Sequence, residues 1–445
     1  MTSALPALLE TESRETDASF IPHVVAWNLT KRCNLSCSHC YISAGPWAKA
    51  EGELDPASCR RIVDELLAVN SSPMLILSGG EPLLREDLPA LAFYAAGKGA
   101  TVVVGTNGTL LTDERIRMLK ASGVSGVAVS VDSLRAGCHD AFRGRAHALE
   151  HTTDALARLR EHRLDVVVQT TATPDNEAEI PALIAWAAVQ GAVCFNLYFV
   201  VPTGRGEALQ PLTPERGEAL LAELAQDERR YRGTMMVRAK CAPQFIRHVY
   251  EADQDSPVLN YRTRCPCGID YCRITPDGHL TPCPYTPESA GDLTRQSFGD
   301  IWRGSPLFAA LRGRDLGGKC GRCEYRRICG GCRARAFAVT GDHLAEDPAC
   351  VYEPPEGRPV IERRAMTYGG GAPAQPSLAW SAEATERMRR IPSFVRGVVV
   401  KRVEDYARER GLAVITPELL AEIRRAMPID FSKRLPFFLK RDGDD

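Results

Sequence analysis

Cys33, Cys37 and Cys40 constrain this chain more than any other feature, because they fall within one short run, Asn28 to Tyr41. Their C-x3-C-x2-C spacing offers three thiolates, one fewer than a four-iron cluster takes from protein, so the fourth iron is left to a non-protein ligand. Three thiolates without a fourth cysteine nearby are poor for structural zinc. The apolar residues Val24, Val25, Ala26 and Trp27 just before it read as a strand. The triplet therefore sits on the loop that leaves that strand.

Length and composition fit a soluble enzyme. The chain has 445 residues, enough for about two to four domains. Hydrophobic residues make up 44% and the net charge is −1, which gives core-forming material and no global field to attract nucleic acid or a membrane. Sixteen cysteines are many for a chain whose residues Met1 to Phe20 lack the basic and apolar regions of a signal peptide. No apolar run is long enough to span a bilayer. Cytoplasm is the default compartment, and clustered cysteines there read as metal ligands rather than disulfides.

Short apolar runs recur after the triplet at 74–77, 101–104, 124–131, 165–168 and 193–201. Helical patterns lie between them, at 58–68, 113–121 and 151–160. With the first strand, this predicts an α/β fold of six β/α units with parallel strands under helices. Active sites of such folds collect at the carboxyl ends of the strands. There the chain places Gly79, Gly80 and Glu81 (in Ser78 to Pro82), then Thr106, Asn107 and Gly108, then Ser130, Val131, Asp132 and Ser133. Adjacent glycines admit a ligand close to the backbone, and a carboxylate can accept from an ammonium group. The same residues also suit turns and helix caps.

The triplet, followed one strand later by Gly-Gly-Glu-Pro, resembles the radical S-adenosylmethionine (SAM) superfamily, with His39 in the place of the usual aromatic before the third cysteine. The resemblance implies a partial (β/α)6 TIM-like barrel over 21–235, after an N-terminal extension over 1–20. It also implies a SAM-binding [4Fe–4S] cluster on the catalytic residues Cys33, Cys37 and Cys40, and a 5′-deoxyadenosyl radical made by one-electron cleavage of SAM. Gly79, Gly80 and Glu81 then hold the SAM amino group, and Asn107, Ser130 and Asp132 its carboxylate and ribose. Gln169 and Thr171 are further candidates, and Arg143 lies in a segment common in the subgroup.

A second cysteine system follows: Cys265, Cys267, Cys272 and Cys283, then Cys320, Cys323, Cys329 and Cys332, and finally Cys350. With Gly278 five residues before Cys283, it resembles the SPASM extension of these enzymes, which houses one or two auxiliary [4Fe–4S] clusters and here spans 236–352. The pattern assigns Cys320, Cys323, Cys329 and Cys350 to an outer cluster. Cys267, Cys272, Cys283 and Cys332 go to an inner one, and Cys265 is a spare thiol able to replace Cys267. Cys59, Cys138, Cys194 and Cys241 lie outside both sets.

Prolines and glycines crowd 353–377, which reads as a linker to a small helical domain over 378–445. Residues 381–441 carry fourteen Lys/Arg against eight Asp/Glu. The stretch from Ile391 to Thr416 resembles the end of the catalytic subunit of light-independent protochlorophyllide reductase, which acts on a tetrapyrrole. Other stretches, including Phe195 to Gly206, Lys240 to Gln244 and Tyr271 to Gly278, resemble the haem-biosynthesis branch of SPASM enzymes. The resemblance implies a haem-type tetrapyrrole substrate that loses carboxyl-bearing pieces, and a low-potential electron donor such as ferredoxin or flavodoxin. Arg205 is the first arginine expected to grip a substrate carboxylate. A maturase acting on a ribosomally made peptide is the alternative. Such maturases normally carry a leader-binding winged helix, for which the twenty residues before the first strand leave no room.

Overall fold

The computed structural model describes residues 20–260, 263–313, 315–362, 378–389, 391 and 393–426. Most of the N-terminal extension (1–19), most of the linker (363–377) and the end of the tail domain (427–445) lie outside the described residues.

Alternating short apolar runs and helices fold into the expected parallel sheet. Its strands are β1 (Val24–Asn28), β2 (Met74–Ser78), β3 (Thr101–Thr106), β4 (Val124–Ser130), β5 (Asp165–Ala172) and β6 (Cys194–Phe199). A further parallel strand, β7 (Met236–Lys240), pairs with β6, so the sheet runs on past residue 235. Its mixed sequence, with one fully buried residue of five, hides it from hydrophobic patterning. Helices α1 (Pro56–Val69), α2 (Leu88–Gly97), α3 (Asp113–Ala121), α4 (Ala136–Arg143), α5 (Ala148–Glu161), α6 (Ile180–Val189) and α7 (Pro214–Tyr231) connect the strands. The start of α1 shows why these segments begin where they do. Asp55 accepts from Ser58 N–H at 2.7 Å, and Pro56, which has no N–H to leave unpaired, opens the helix.

The auxiliary region joins the same sheet at its other edge. There β8 (Tyr271–Ile274) lies parallel to β1, followed by the antiparallel β9 (His279–Thr281) and β10 (Gly291–Asp292), giving the order β10-β9-β8-β1-β2-β3-β4-β5-β6-β7. Helices α8 (Phe245–Ala252), α9 (Phe298–Gly304), α10 (Pro306–Arg312), α11 (Gly318–Arg322) and α12 (Arg333–Thr340) complete it. Beyond the linker, α13 (Ala382–Arg389), α14 (Ser393–Glu409) and α15 (Pro417–Ala426) pack around Val403, Ala407, Ile415 and Leu419, beside a two-residue parallel pair, β11 (Ala379–Trp380) and β12 (Val414–Ile415). Thr416 Oγ1 accepts from Leu419 N–H, with Pro417 first in α15.

Strand alternation gives the barrel two cores. Val25, Trp27, Leu75, Leu77, Val102, Val104, Phe195 and Leu197 point outward and pack with the helix layer. Fully burying each such side chain stabilises the fold by about 1.5–3 kcal/mol. Their neighbours point inward, where a small apolar floor of Val103, Ala128, Val167 and Cys194 fills the start of the barrel. Above that floor the inward positions turn polar, through Ser78, Ser130, Gln169 and Asn196. That change of character marks the way to the site.

Candidate active site

The cysteine loop rises from the end of β1 and is clamped against the loop after β2. Gly80 N–H donates to Thr30 O at 2.6 Å and Glu81 N–H to Arg32 O at 2.8 Å. A Cβ at Gly80 would stand 2.2 Å from Arg32 O, and one at Gly79, whose φ is 149°, 2.6 Å from Thr30 O. Both positions therefore require glycine for close approach. Cys33, Cys37 and Cys40 share one cluster with Leu35, Ile42 and Ala44. Leu35 N–H donates to Cys33 Sγ at 3.4 Å and Ala44 N–H to Cys40 Sγ at 3.2 Å. Burial pushes the Cys33 thiol up to about 12, and burial raises Cys37 against the opposing pull of Arg143. Buried thiols that already receive N–H donors suit metal-bound thiolates, so the residues fit a cluster.

Glu81 is fully buried and committed to its neighbours. Its carboxylate accepts from Thr106 Oγ1 at 2.8 Å, Asn107 N–H at 3.0 Å and Leu83 N–H at 3.1 Å. Burial raises it to about 6, against those hydrogen bonds. Asn107 turns back to the cysteine loop, donating to Asn34 Oδ1 at 2.8 Å, with Cys33 Sγ at 3.9 Å. Ser130 is an inward, half-buried position on β4, beside Gln169.

Asp132 is 2% exposed and ion-paired with Arg143, and accepts from Thr171 N–H at 2.9 Å. Burial alone would raise its carboxyl, but Arg143, with His39 and His139, holds it below the usual carboxylate range. Arg143 in turn brings Nη1 to 3.9 Å from Cys37 Sγ. His39 stacks on Phe142 with ring centroids 4.3 Å apart, and burial followed by Arg143 lowers it to about 3, so it is neutral. Arg205, after β6, donates from Nε to Cys37 O at 2.8 Å. Both of its Nη atoms are buried without a hydrogen-bond partner.

The inner auxiliary thiols gather differently from the sequence-based set. Cys265 and Cys267 are 3.4 Å apart and pack in one cluster with Cys283 and Cys332, with Cys241 against it. Cys272 lies elsewhere: on β8, opposite Val25, it points with Ile274 into the outward core. Strand alternation puts Tyr271 and Arg273 on the other face. Among the outer thiols, burial raises Cys323, Cys329 and Cys350, and the Cys350 sulfur adds to the rise at Cys323 and Cys329. The buried carboxylate of Asp347 ties the two groups, accepting from Cys332 N–H at 2.7 Å while Asp347 N–H donates to Cys320 Sγ at 3.4 Å.

Between the triplet and the inner thiols stand half-buried tyrosines that patterning missed. Tyr41 and Tyr285 have ring centroids 5.2 Å apart, and Tyr41 Oη accepts from Asn28 at 2.8 Å. Tyr198 Oη accepts from Gln169 at 3.2 Å. Burial raises Tyr41, Tyr198, Tyr271 and Tyr285, which stay neutral. Lys240, at the end of β7, is lowered to about 8 by burial and then by Arg238. Tyr198, Tyr271 and Lys240 stand at or near strand ends and Tyr41 and Tyr285 on loops, a grouping that becomes visible only once the strands are placed.

This geometry is that of a radical enzyme, and the chain belongs to the radical SAM superfamily. Residues 27–187 match that superfamily, 265–333 an iron-sulfur cluster-binding domain, and 380–424 the proto-chlorophyllide reductase 57 kD subunit. An AdoMet-dependent heme synthase of Methanosarcina barkeri is 37% identical over 75% of this chain and 97% of its own length. A pre-heme d1 synthase of Dinoroseobacter shibae is 33% identical over 74% and 85%. A mycofactocin maturase of Mycobacterium ulcerans is 32% identical over 79% and 93%. A solved structure of native anSMEcpe with bound AdoMet shares the fold, at a TM-score of 0.59 and 15% identity over 74% of this chain and 94% of that one. The protein is thus a SAM-dependent enzyme with [4Fe–4S] clusters. Among the described residues no helix is long and apolar enough to cross a membrane.

Proposed function

We propose that this enzyme removes carboxyl-bearing pieces from the side chains of a haem-type tetrapyrrole. When bound, a [4Fe–4S] cluster on Cys33, Cys37 and Cys40 together with SAM would supply a 5′-deoxyadenosyl radical able to take a hydrogen atom from a propanoate-like side chain; loss of the carboxyl as carbon dioxide would leave one electron, which an auxiliary cluster would have to accept. The chain's own residues hold and shield. Cys33, Cys37 and Cys40 are the cluster ligands of this reading, and Gly79, Gly80, Glu81, Asn107, Ser130 and Asp132 form the wall against which SAM is held. With Glu81 engaged by β3, its part is to fix that wall, and the Asp132–Arg143 pair keeps a cation beside Cys37. Tyr41, Tyr198, Tyr271 and Tyr285 offer apolar faces to a flat ring system.

Arg205 carries the reading. Two buried guanidinium nitrogens without a hydrogen-bond partner, in a group that lies over the Trp47 ring beside the cysteine loop, match a carboxylate that arrives with the substrate. Identity to the haem synthase exceeds that to the maturase. A low-potential donor such as ferredoxin or flavodoxin and a cytoplasmic setting complete the proposal, supported by the many free cysteines.

Anaerobic protein with dithionite and SAM should release 5′-deoxyadenosine, and the triple Cys33, Cys37, Cys40→Ala variant should not. Titration with iron-coproporphyrin or didecarboxysirohaem should shift the Soret band, and turnover should give the mass loss of carboxyl-bearing fragments. Absence of tetrapyrrole binding, with modification of a peptide encoded beside the gene, would replace this reading with the maturase.

A further inference from the structure

The C-terminal domain meets the barrel at the end opposite the cysteine loop. Among the described residues, Ile391, in the short connection between α13 and α14, makes an apolar contact there. This side chain packs on the inward-facing floor formed by Val103, Ala128, Val167 and Cys194, together with Met74, Ile76, Val193 and Met236. These residues lie along the lower part of the interior, and several of them open their strands: Met74 starts β2, Cys194 starts β6 and Met236 starts β7. The cysteine loop, by contrast, leaves the carboxyl end of β1. Arg396 fixes the contact. It donates to Ser72 Oγ in the turn before β2, and also to the Ile391 carbonyl at 2.9 Å, so one guanidinium ties both sides of the junction.

A barrel of parallel strands that does not close leaves its lower end to be covered by something. Uncovered, the apolar floor would meet water, and solvent would have a second way into a chamber whose chemistry depends on its exclusion. With the tail domain in place, Val103, Ala128, Val167 and Cys194 are at most 8% exposed.

We propose that the C-terminal domain is a stopper: Ile391 seals the lower end of the barrel against solvent, at the end opposite the cysteine loop. The inference does not depend on which substrate the enzyme takes.

Cys194 is a built-in probe of that seal, because it lies in the floor beneath Ile391. The test uses anaerobically reconstituted full-length protein, treated with iodoacetamide and followed by peptide mass mapping. Cys59, buried under α1 in the outward core, serves as the internal control. Ile391→Asp should label Cys194 roughly tenfold faster than wild type, with Cys59 unchanged, as expected for local opening of one buried patch. Arg396→Ala should move Cys194 in the same direction by less, and Lys401→Ala, at an exposed position of α14, should not move it. Unchanged Cys194 labelling in Ile391→Asp overturns the proposal, whether or not the tail domain itself stays folded. So does acceleration of Cys59 to the same extent, which would report general unfolding.

Discussion

Asp132 and Arg143 form a buried ion pair whose guanidinium side also reaches the sulfur of Cys37, so a residue at the end of β4 sets the charge beside the cysteine loop through a residue at the end of α4. Neither member is free to relax into water: their side chains are 2% and 7% exposed. Breaking such a pair leaves one charge buried and uncompensated.

Asp132→Asn should therefore cost roughly 3–5 kcal/mol of stability, far more than a surface pair. Thermal unfolding of the variant, followed with equilibrium binding of SAM, checks both the loss and the accompanying drop in affinity. A change below about 1 kcal/mol, the range of exposed pairs, would show that the pair is not buried in solution.

His139 packs against the same pair, its Nδ1 accepting from Asp132 N–H at 3.2 Å. Burial and then Arg143 lower its pKa from the ordinary 6.5 to about 4. The unfolded chain thus takes up the proton first as the solution is acidified. This contribution to stability is complete above pH 6.5 and is lost as the pH falls towards 4, by about 3 kcal/mol. Denaturant titrations of wild type and His139→Gln across that interval should show a shallower pH dependence in the variant.

The placement of Cys265 and Cys272 predicts opposite outcomes for two neighbouring cysteines. Three cysteine-held clusters require about twelve irons in wild type, and loss of the Cys33, Cys37, Cys40 triplet should leave about eight. Cys272→Val should keep the wild-type content, since this side chain lies in the outward core beside Ile274. Cys265→Ser should reduce it towards eight. Iron and sulfide assays on reconstituted protein decide, and stoichiometric zinc would refute the cluster assignment altogether.

Arg205→Ala removes the two unpartnered guanidinium nitrogens next to the cysteine loop. Loss of a charged hydrogen-bond partner should weaken tetrapyrrole binding by about 1.5–3 kcal/mol, and Arg205→Lys should restore part of it, since a lysine keeps the charge but lacks the planar fork. Soret titrations of the three proteins measure this, with the iron content as a check that the Cys37 carbonyl contact was not essential to the loop.

Much of this protein is legible in its linear order because the informative residues are close together. The triplet within eight residues, Gly-Gly-Glu-Pro one strand on, and the paired cysteines after residue 320 are local patterns, as are the strand and helix periods that point to an α/β barrel. Thr416 and Pro417 mark the start of α15 for the same reason. Tertiary structure decided what depends on which way a side chain faces. Cys272 and Cys265 are equally good ligands as letters, and only the parallel pairing of β8 with β1 turns one into the core and leaves the other with Cys267 and Cys332. Strand β7 carries too few apolar residues to announce itself, and gains its place from pairing with β6. Ile391 reads as an ordinary residue before a proline. Its meaning comes from the floor it covers, assembled from strands more than 150 residues earlier in the chain. Periodicity and spacing record interactions between neighbours along the chain, whereas burial and docking depend on surfaces that exist only after the strands have assembled.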